Sequence, residues 1–170
     1  MTHTSEESVA AGRRSFLRAA ALLVGGGAVG AAALSRVLEA QAGQPAIKQM
    51  VVYKDPNCGC CKAWIEHVRK AGFVVDVKDT SDMDSVKTSM GLPAGLASCH
   101  TAKVGSYLVE GHVPADLIVK LLKDKPATAR GLAVPGMPVG SPGMEMGDRK
   151  DPFDVLLFDK AGKTSVYAKR

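Results

Sequence analysis

The chain predicts one α/β domain, built on a strand–helix–strand unit and preceded by a segment that reads as an export address. Three observations carry the fold class. Met50-Val51-Val52-Tyr53 and Phe73-Val74-Val75-Asp76-Val77 are short β-rich runs flanking a helical stretch, and such a unit of about 30 residues implies parallel strands. Lys103-Val104 and Tyr107-Leu108-Val109 are joined only by Gly105-Ser106, the link of an antiparallel hairpin. A last amphipathic run follows Pro114.

Element by element, Met50–Tyr53 suits a buried strand. Lys54-Asp55-Pro56-Asn57-Cys58-Gly59 is a loop rich in turn formers. From Cys60 to Ala71 the residues Cys61, Ile65, Val68 and Gly72 recur at helical spacing, and Gly72 ends the helix before the second strand. Thr80 to Met90 is a short polar helix stopped by Gly91 and Pro93. After the hairpin, Pro114 opens a helix whose stripe is Leu117, Ile118, Leu121 and Leu122. The order β-α-β-α-β-β-α is the thioredoxin-like arrangement, an analogy of fold that carries no function by itself. Residues 126–152, with five Pro, five Gly and the three methionines Met137, Met144 and Met146, break the pattern and read as a long functional loop. Val155-Leu156-Leu157-Phe158 and Ser165-Val166-Tyr167 then close the chain as a β-hairpin.

Composition narrows the function. The chain has 170 residues, 22 Lys and Arg against 17 Asp and Glu, and only 5% aromatics. That is not the clustered basic face with stacking aromatics of a nucleic-acid binder. With 46% hydrophobic residues it is not a disordered chain either.

Residues 1–42 resemble a twin-arginine export signal. Arg13-Arg14-Ser15-Phe16-Leu17 precedes an uncharged, Ala/Gly-dominated run from Ala19 to Leu34, and Ala40-Gln41-Ala42 supplies a small-x-small cleavage pattern. A transmembrane anchor is the competing reading, but spanning takes about 20 strongly apolar residues and this run is shorter. Cleavage after Ala42 leaves a mature domain of residues 43–170 with no further run of spanning length. All four cysteines then act in the periplasm, an oxidising compartment.

Cys58-Gly59-Cys60-Cys61 lies between the first strand and the first helix. A helix N-terminus lowers thiol pKa and favours the thiolate that attacks disulfides or binds metal. Cys58 and Cys61 make a C-x-x-C pair, and Cys60 adds a third sulfur. Cys99, just before the third strand, is the fourth, and in this fold it faces that turn together with His100. Converging thiolates beside a thioether-bearing loop make a soft site that selects monovalent copper. Other readings stand beside it. Four cysteines in an exported chain allow two disulfides, although the adjacent Cys60 and Cys61 do not bridge one another readily. Four Cys, or three with His100, would also suit structural zinc. Cys58 and Cys61 alone would serve a thiol–disulfide oxidoreductase.

Among the remaining candidates, His67 reads as a solvated or edge-packed side chain beside Trp64. His112 could reach the cluster or serve its own loop. Met50 and Met83 read as packing and surface residues, whereas Met137 and Met144 lie in a loop without apolar periodicity.

Several blocks resemble the CopG-type copper-resistance family, long classed as a domain of unknown function. They are Tyr53-Lys54-Asp55-Pro56-Asn57-Cys58-Gly59-Cys60-Cys61-Lys62-Ala63-Trp64, Ser98-Cys99-His100-Thr101, Tyr107 to Pro114, Gly131 to Pro138, and Gly140 to Glu145. The resemblance implies a periplasmic thioredoxin-like protein of copper resistance, holding a small sulfur-bridged copper cluster through Cys58, Cys60, Cys61 and Cys99. His100, His112, Met137 and Met144 extend that metal-ligand set. The same resemblance implies interconversion of Cu(I) and Cu(II), the chemistry a copper oxidoreductase would perform. Delivery as a metallochaperone to other periplasmic copper-handling proteins is a separate reading that uses the same ligands. Neither nucleic acid nor, in the mature form, membrane is an expected partner.

Overall fold

The computed structural model describes residues 48–170, so residues 1–42, expected from the sequence to be an export signal, lie outside the described residues. Strand β1 (Lys48–Lys54) turns Met50, Val52 and Lys54 inward at the strand period of two. Helix α1 (Gly59–Lys70) buries Cys61, Trp64, Ile65 and Val68, the stripe that spacings of three and four produce. Arg69 and Lys70 in its last turn complement the helix dipole, and Gly72, at φ 87°, turns the chain into β2 (Phe73–Asp79). Helix α2 (Met83–Ser89) is capped by Asp82, whose side chain accepts the Ser85 N–H. A 3-10 turn at Ala94–Leu96 leads to the hairpin of β3 (His100–Val104) and β4 (Tyr107–Glu110). Helix α3 (Ala115–Asp124) begins just after Pro114, which serves as the cap rather than the first helical residue.

The strands form one sheet in the order β2-β1-β3-β4-β5-β6-β7. β1 pairs in parallel with β2 and antiparallel with β3, as a strand–helix–strand unit followed by a hairpin requires. Strand β5 (Ala129–Ala133) corrects the reading of residues 126–152 as continuous loop. It runs parallel to β4 and antiparallel to β6 (Asp154–Asp159), which pairs in turn with β7 (Thr164–Lys169). Its sequence Ala-Arg-Gly-Leu-Ala lacks the β-branched residues that mark a strand. Gly131 is required there, because a Cβ would collide with the Leu108 carbonyl of β4.

Helices α1 and α3 contribute Trp64, Ile65, Val68, Leu117, Ile118 and Leu121 to the main core, which they form with Met50, Val52, Val104, Val109 and Leu132 of the sheet. Leu92, Leu96, Leu108, Ala133 and Phe158 form a second, smaller cluster. Among the described residues no helix is long and apolar enough to cross a membrane.

Candidate metal centre

Beyond β1 the chain turns over Asp55–Asn57. Asp55 Oδ1 accepts the Asn57 N–H at 2.7 Å, and the Cys58 N–H donates to the Asp55 carbonyl at 3.1 Å. Lys54, buried, pins the turn by donating to the Asp55 carbonyl at 2.9 Å while pairing with Asp79 at 2.8 Å. The turn delivers Cys58 to the N-cap of α1, where its Sγ accepts the Cys61 N–H at 3.3 Å. Sulfur therefore stands where a Ser or Asp oxygen usually does, at the positive end of the helix. Cys58 and Cys61 are joined by a disulfide, and Cys60 and Cys99 are free. Four cysteines thus make one bond and two thiols, which departs from the two-disulfide alternative.

Cys99 reaches the same place from the sheet. β3 pairs with β1 so that His100 lies opposite Lys54, which sets Cys99 beside the turn leading into α1. Cys60 Sγ lies 3.5 Å from Cys58 Sγ and 4.0 Å from Cys99 Sγ. Cys61 Sγ lies 3.8 Å from the Cys99 carbonyl oxygen, a contact without a proton because the disulfide sulfur carries none. Burial, reinforced by the neighbouring Cys60, pushes the Cys99 thiol up to about 12. The four sulfurs lie within 4.8 Å of one another.

A second group shares Cys99 with His100 and His112, again with ligand atoms within 4.8 Å. His112 Nδ1 lies 2.7 Å from the Pro142 carbonyl, which can only accept, so the ring proton sits on Nδ1. Nε2 is then a lone pair, and it lies 3.0 Å from Cys99 Sγ. His100 Nδ1 lies 3.3 Å from the same sulfur, and its buried Nε2 has no hydrogen-bond partner among the described residues. Its ring stands 4.3 Å from Trp64 and edge-on to His112 at 5.1 Å. Burial holds both imidazoles below the usual histidine range, His100 well below it with His112 and Lys87 adding to the effect. Both rings are therefore neutral at pH 7, the form that ligates metal.

Other candidates fall differently. His67 lies off the cluster, where its Nε2 accepts the Ala115 N–H at 3.1 Å, so it caps α3 from the edge of α1. Met50 is a core residue. Met137 is exposed, one residue beyond Gly136, whose carbonyl accepts the Ser98 hydroxyl. Met144 is half-buried and follows Gly143, which packs on the first turn of α1; a Cβ there would stand 2.7 Å from Trp64 N and 2.9 Å from Cys60 O. The Met-bearing loop thus meets the cysteine turn through its backbone.

Sequence reasoning missed a buried charged group behind the site. Lys87 of α2 pairs with Glu110 of β4 at 2.5 Å and donates to Thr101 Oγ1 at 2.9 Å. Burial raises the Glu110 carboxyl above its ordinary range, against the pull of Lys87, Thr101 and Ser98. The available signal was a Glu ending a β-run whose other members are apolar; nothing near Lys87 marks it as buried.

Two solved structures named copper resistance protein CopG, form 1 and form 2, match with TM-scores of 0.69 and sequence identities of 48% and 47%. Each match covers 73% of this chain and 98% of the other. The chain belongs to the CopG family. Residues 96–144 also match a family described as protein of unknown function, DUF411. No curated protein matches.

In this CopG family member the DUF411 segment contains Cys99, His100, His112, Met137 and Met144 but begins after the cysteine turn. The donors fit a soft or borderline metal: four sulfurs, a neutral imidazole nitrogen aimed at one of them, and an orphaned buried nitrogen on His100. His112 also carries the outer contact typical of a ligating histidine, its other N–H held by a backbone carbonyl. With the disulfide closed, only Cys60 and Cys99 are thiols.

Proposed function

We propose that the protein binds copper as Cu(I) in the periplasm and serves copper resistance, with Cys58, Cys60, Cys61 and Cys99 as its sulfur ligands and His100 and His112 beside them. The observation that carries this reading is the convergence of four sulfurs within 4.8 Å, in a relative of proteins named for copper resistance. Thiolates favour Cu(I), and partial burial of the four cysteines would shield it from water. Use of all four requires opening the Cys58–Cys61 bond: a dithiol reductant gives two electrons and two protons, becomes a disulfide, and leaves two thiols on the protein. Bound copper supplies one-electron chemistry between Cu(I) and Cu(II). Met137 and Met144, on the adjoining loop, are the secondary ligand candidates. Delivery to another periplasmic copper-handling protein would use the same donors.

Titration of the reduced protein with Cu(I) against a competing chelator tests this. Stoichiometric uptake is expected, and Cys60→Ser should weaken it by more than the roughly 10–100-fold that an outer contact costs. Weak, sub-stoichiometric uptake unchanged in Cys60→Ser contradicts the reading. Export rests on the resemblance of residues 1–42 to a twin-arginine signal. The Arg13→Lys, Arg14→Lys double variant should remain in the cytoplasm, and unimpaired export would remove that part of the proposal.

One observation favours a second reading, thiol–disulfide exchange: the Cys58–Cys61 disulfide sits at a helix N-terminus. A substrate dithiol would reduce that bond and leave as a disulfide. Catalytic insulin reduction by the dithiol form, retained when Cys60 and Cys99 are both changed to Ser, would support exchange over copper binding.

A further inference from the structure

Behind Cys99 lies a charged group that the copper reading leaves without a role. Glu110 is fully buried at the end of β4, and Lys87 reaches it from α2 with its own side chain almost entirely covered. Among the described residues every hydrogen-bond partner of this carboxylate is a donor. Oε1 accepts the Ser98 backbone N–H at 2.6 Å and the Lys87 ammonium at 2.5 Å, and Oε2 accepts the Thr101 hydroxyl at 2.6 Å. Thr101 Oγ1 in turn accepts from Lys87 at 2.9 Å.

Ser98 and Thr101 are the residues on either side of Cys99-His100. One carboxylate therefore holds both flanks of the dipeptide that supplies a sulfur and an imidazole to the centre. The remaining freedom of this segment is small. The Ser98 hydroxyl donates to the Gly136 carbonyl, the Gly111 N–H donates to the His100 carbonyl at 3.0 Å, and a Cβ on Gly111 would stand 2.6 Å from Ser98 Oγ.

Stability alone is a poor reason to bury such a group. Taking two charges out of water costs more than their attraction returns unless the geometry is excellent, and apolar residues of similar volume often do as well. What apolar residues could not do is accept two hydrogen bonds from points three residues apart and so set the chain between them. We propose that Glu110, paired with Lys87, is a positioning residue that fixes Cys99 and His100 in the orientation the metal centre requires. Its hydrogen bonds go to Lys87, Ser98 and Thr101 and to no cysteine, so it acts through Ser98 and Thr101.

The Lys87→Met, Glu110→Leu double variant removes both charges together, so no uncompensated charge is left buried, and it takes away the acceptors of the Ser98 N–H and the Thr101 hydroxyl. The first readout needs no metal: with the Cys58–Cys61 disulfide intact, the two free thiols are alkylated with iodoacetamide and their rates followed separately by peptide mass. Loosening the clamp should raise the rate at Cys99 relative to Cys60 by about tenfold, because local opening would govern access to a half-buried thiol. The second readout rests on the copper reading: the reduced variant should bind Cu(I) about tenfold more weakly, with the number of ions unchanged.

An unchanged Cys99-to-Cys60 ratio in the folded variant would overturn the proposal, whatever copper does. If the wild-type protein failed to bind Cu(I), only the copper reading would fall, and the alkylation ratio would still decide the clamp. Should the double variant not fold, Thr101→Val removes one arm alone and must shift the ratio in the same direction. Thr101→Ser, which keeps the hydroxyl, must restore it. A ratio equal in wild type and Thr101→Val, or not restored by Thr101→Ser, counts against the clamp.

Discussion

Cys99 is the residue on which the candidate metal centre turns, since it is the one potential donor common to the sulfur group and to the pair of histidines. Its thiol is held at about 12 by burial and by Cys60, so at neutral pH it carries a proton that a metal must displace. Each proton displaced makes affinity rise with pH. Between pH 6 and 8, Cu(I) affinity of the reduced protein should climb by about tenfold per pH unit from Cys99 alone, more if other thiols contribute. The slope is read by chelator competition at several pH values, with the chelator's own titration subtracted. An affinity flat with pH, or one whose slope survives Cys99→Ala undiminished, would show that Cys99 gives up no proton to copper. The four sulfurs were legible as a set because three sit in one turn and the fourth directly precedes a strand expected beside it. Their pairing was not, because four cysteines allow three connectivities. Glu110 and Lys87 were illegible for a different reason: they meet across 23 residues, and no local pattern marks a charge destined for burial.

At the level of elements, α1 and α3 are coupled by His67, which caps α3 by accepting the Ala115 N–H. Desolvation holds its pKa below the usual value, against the opposing pull of Glu145 and Asp116. The folded state therefore favours the neutral ring. Its contribution is fully present above the unfolded value of about 6.5 and is lost as pH falls through the lower folded value. His67→Gln keeps an acceptor that does not titrate, so its urea stability should fall less steeply between pH 7 and 5 than that of the wild type. His100 and His112 shift in the same direction, so the slope should shrink rather than vanish. Identical slopes would remove His67 from this account. Strand β5 yields a sharper test. Gly131→Ala would drive a methyl into the Leu108 carbonyl and should cost about 1–3 kcal/mol of unfolding free energy. Unchanged stability would mean that β4 and β5 can move apart without loss. The same glycine explains why β5 escaped sequence reading: the absent side chain that lets two strands approach also erases the periodic signal. Helix α1 and the β3–β4 hairpin were readable because each carries its evidence locally, a stripe of three- and four-residue spacing in one and a Gly105-Ser106 link in the other.

For the whole molecule, the order β2-β1-β3-β4 gathers three separate parts of the chain at one end of the sheet. The turn after β1 supplies Cys58, Cys60 and Cys61, the approach to β3 supplies Cys99, and the residues after β4 supply His112. The glycine-rich loop before β6 adds Pro142 and Gly143 against the same place. No single segment holds the full donor set, so the centre is a product of the tertiary fold and should disappear when the chain unfolds. The most direct test is X-ray absorption at the copper edge on the fully reduced protein loaded with Cu(I). Sulfur should dominate the first shell, and Cys99→Ala should lower its sulfur count. A shell of nitrogen and oxygen alone, unaltered by loss of Cys99, would contradict a cysteine-built copper centre.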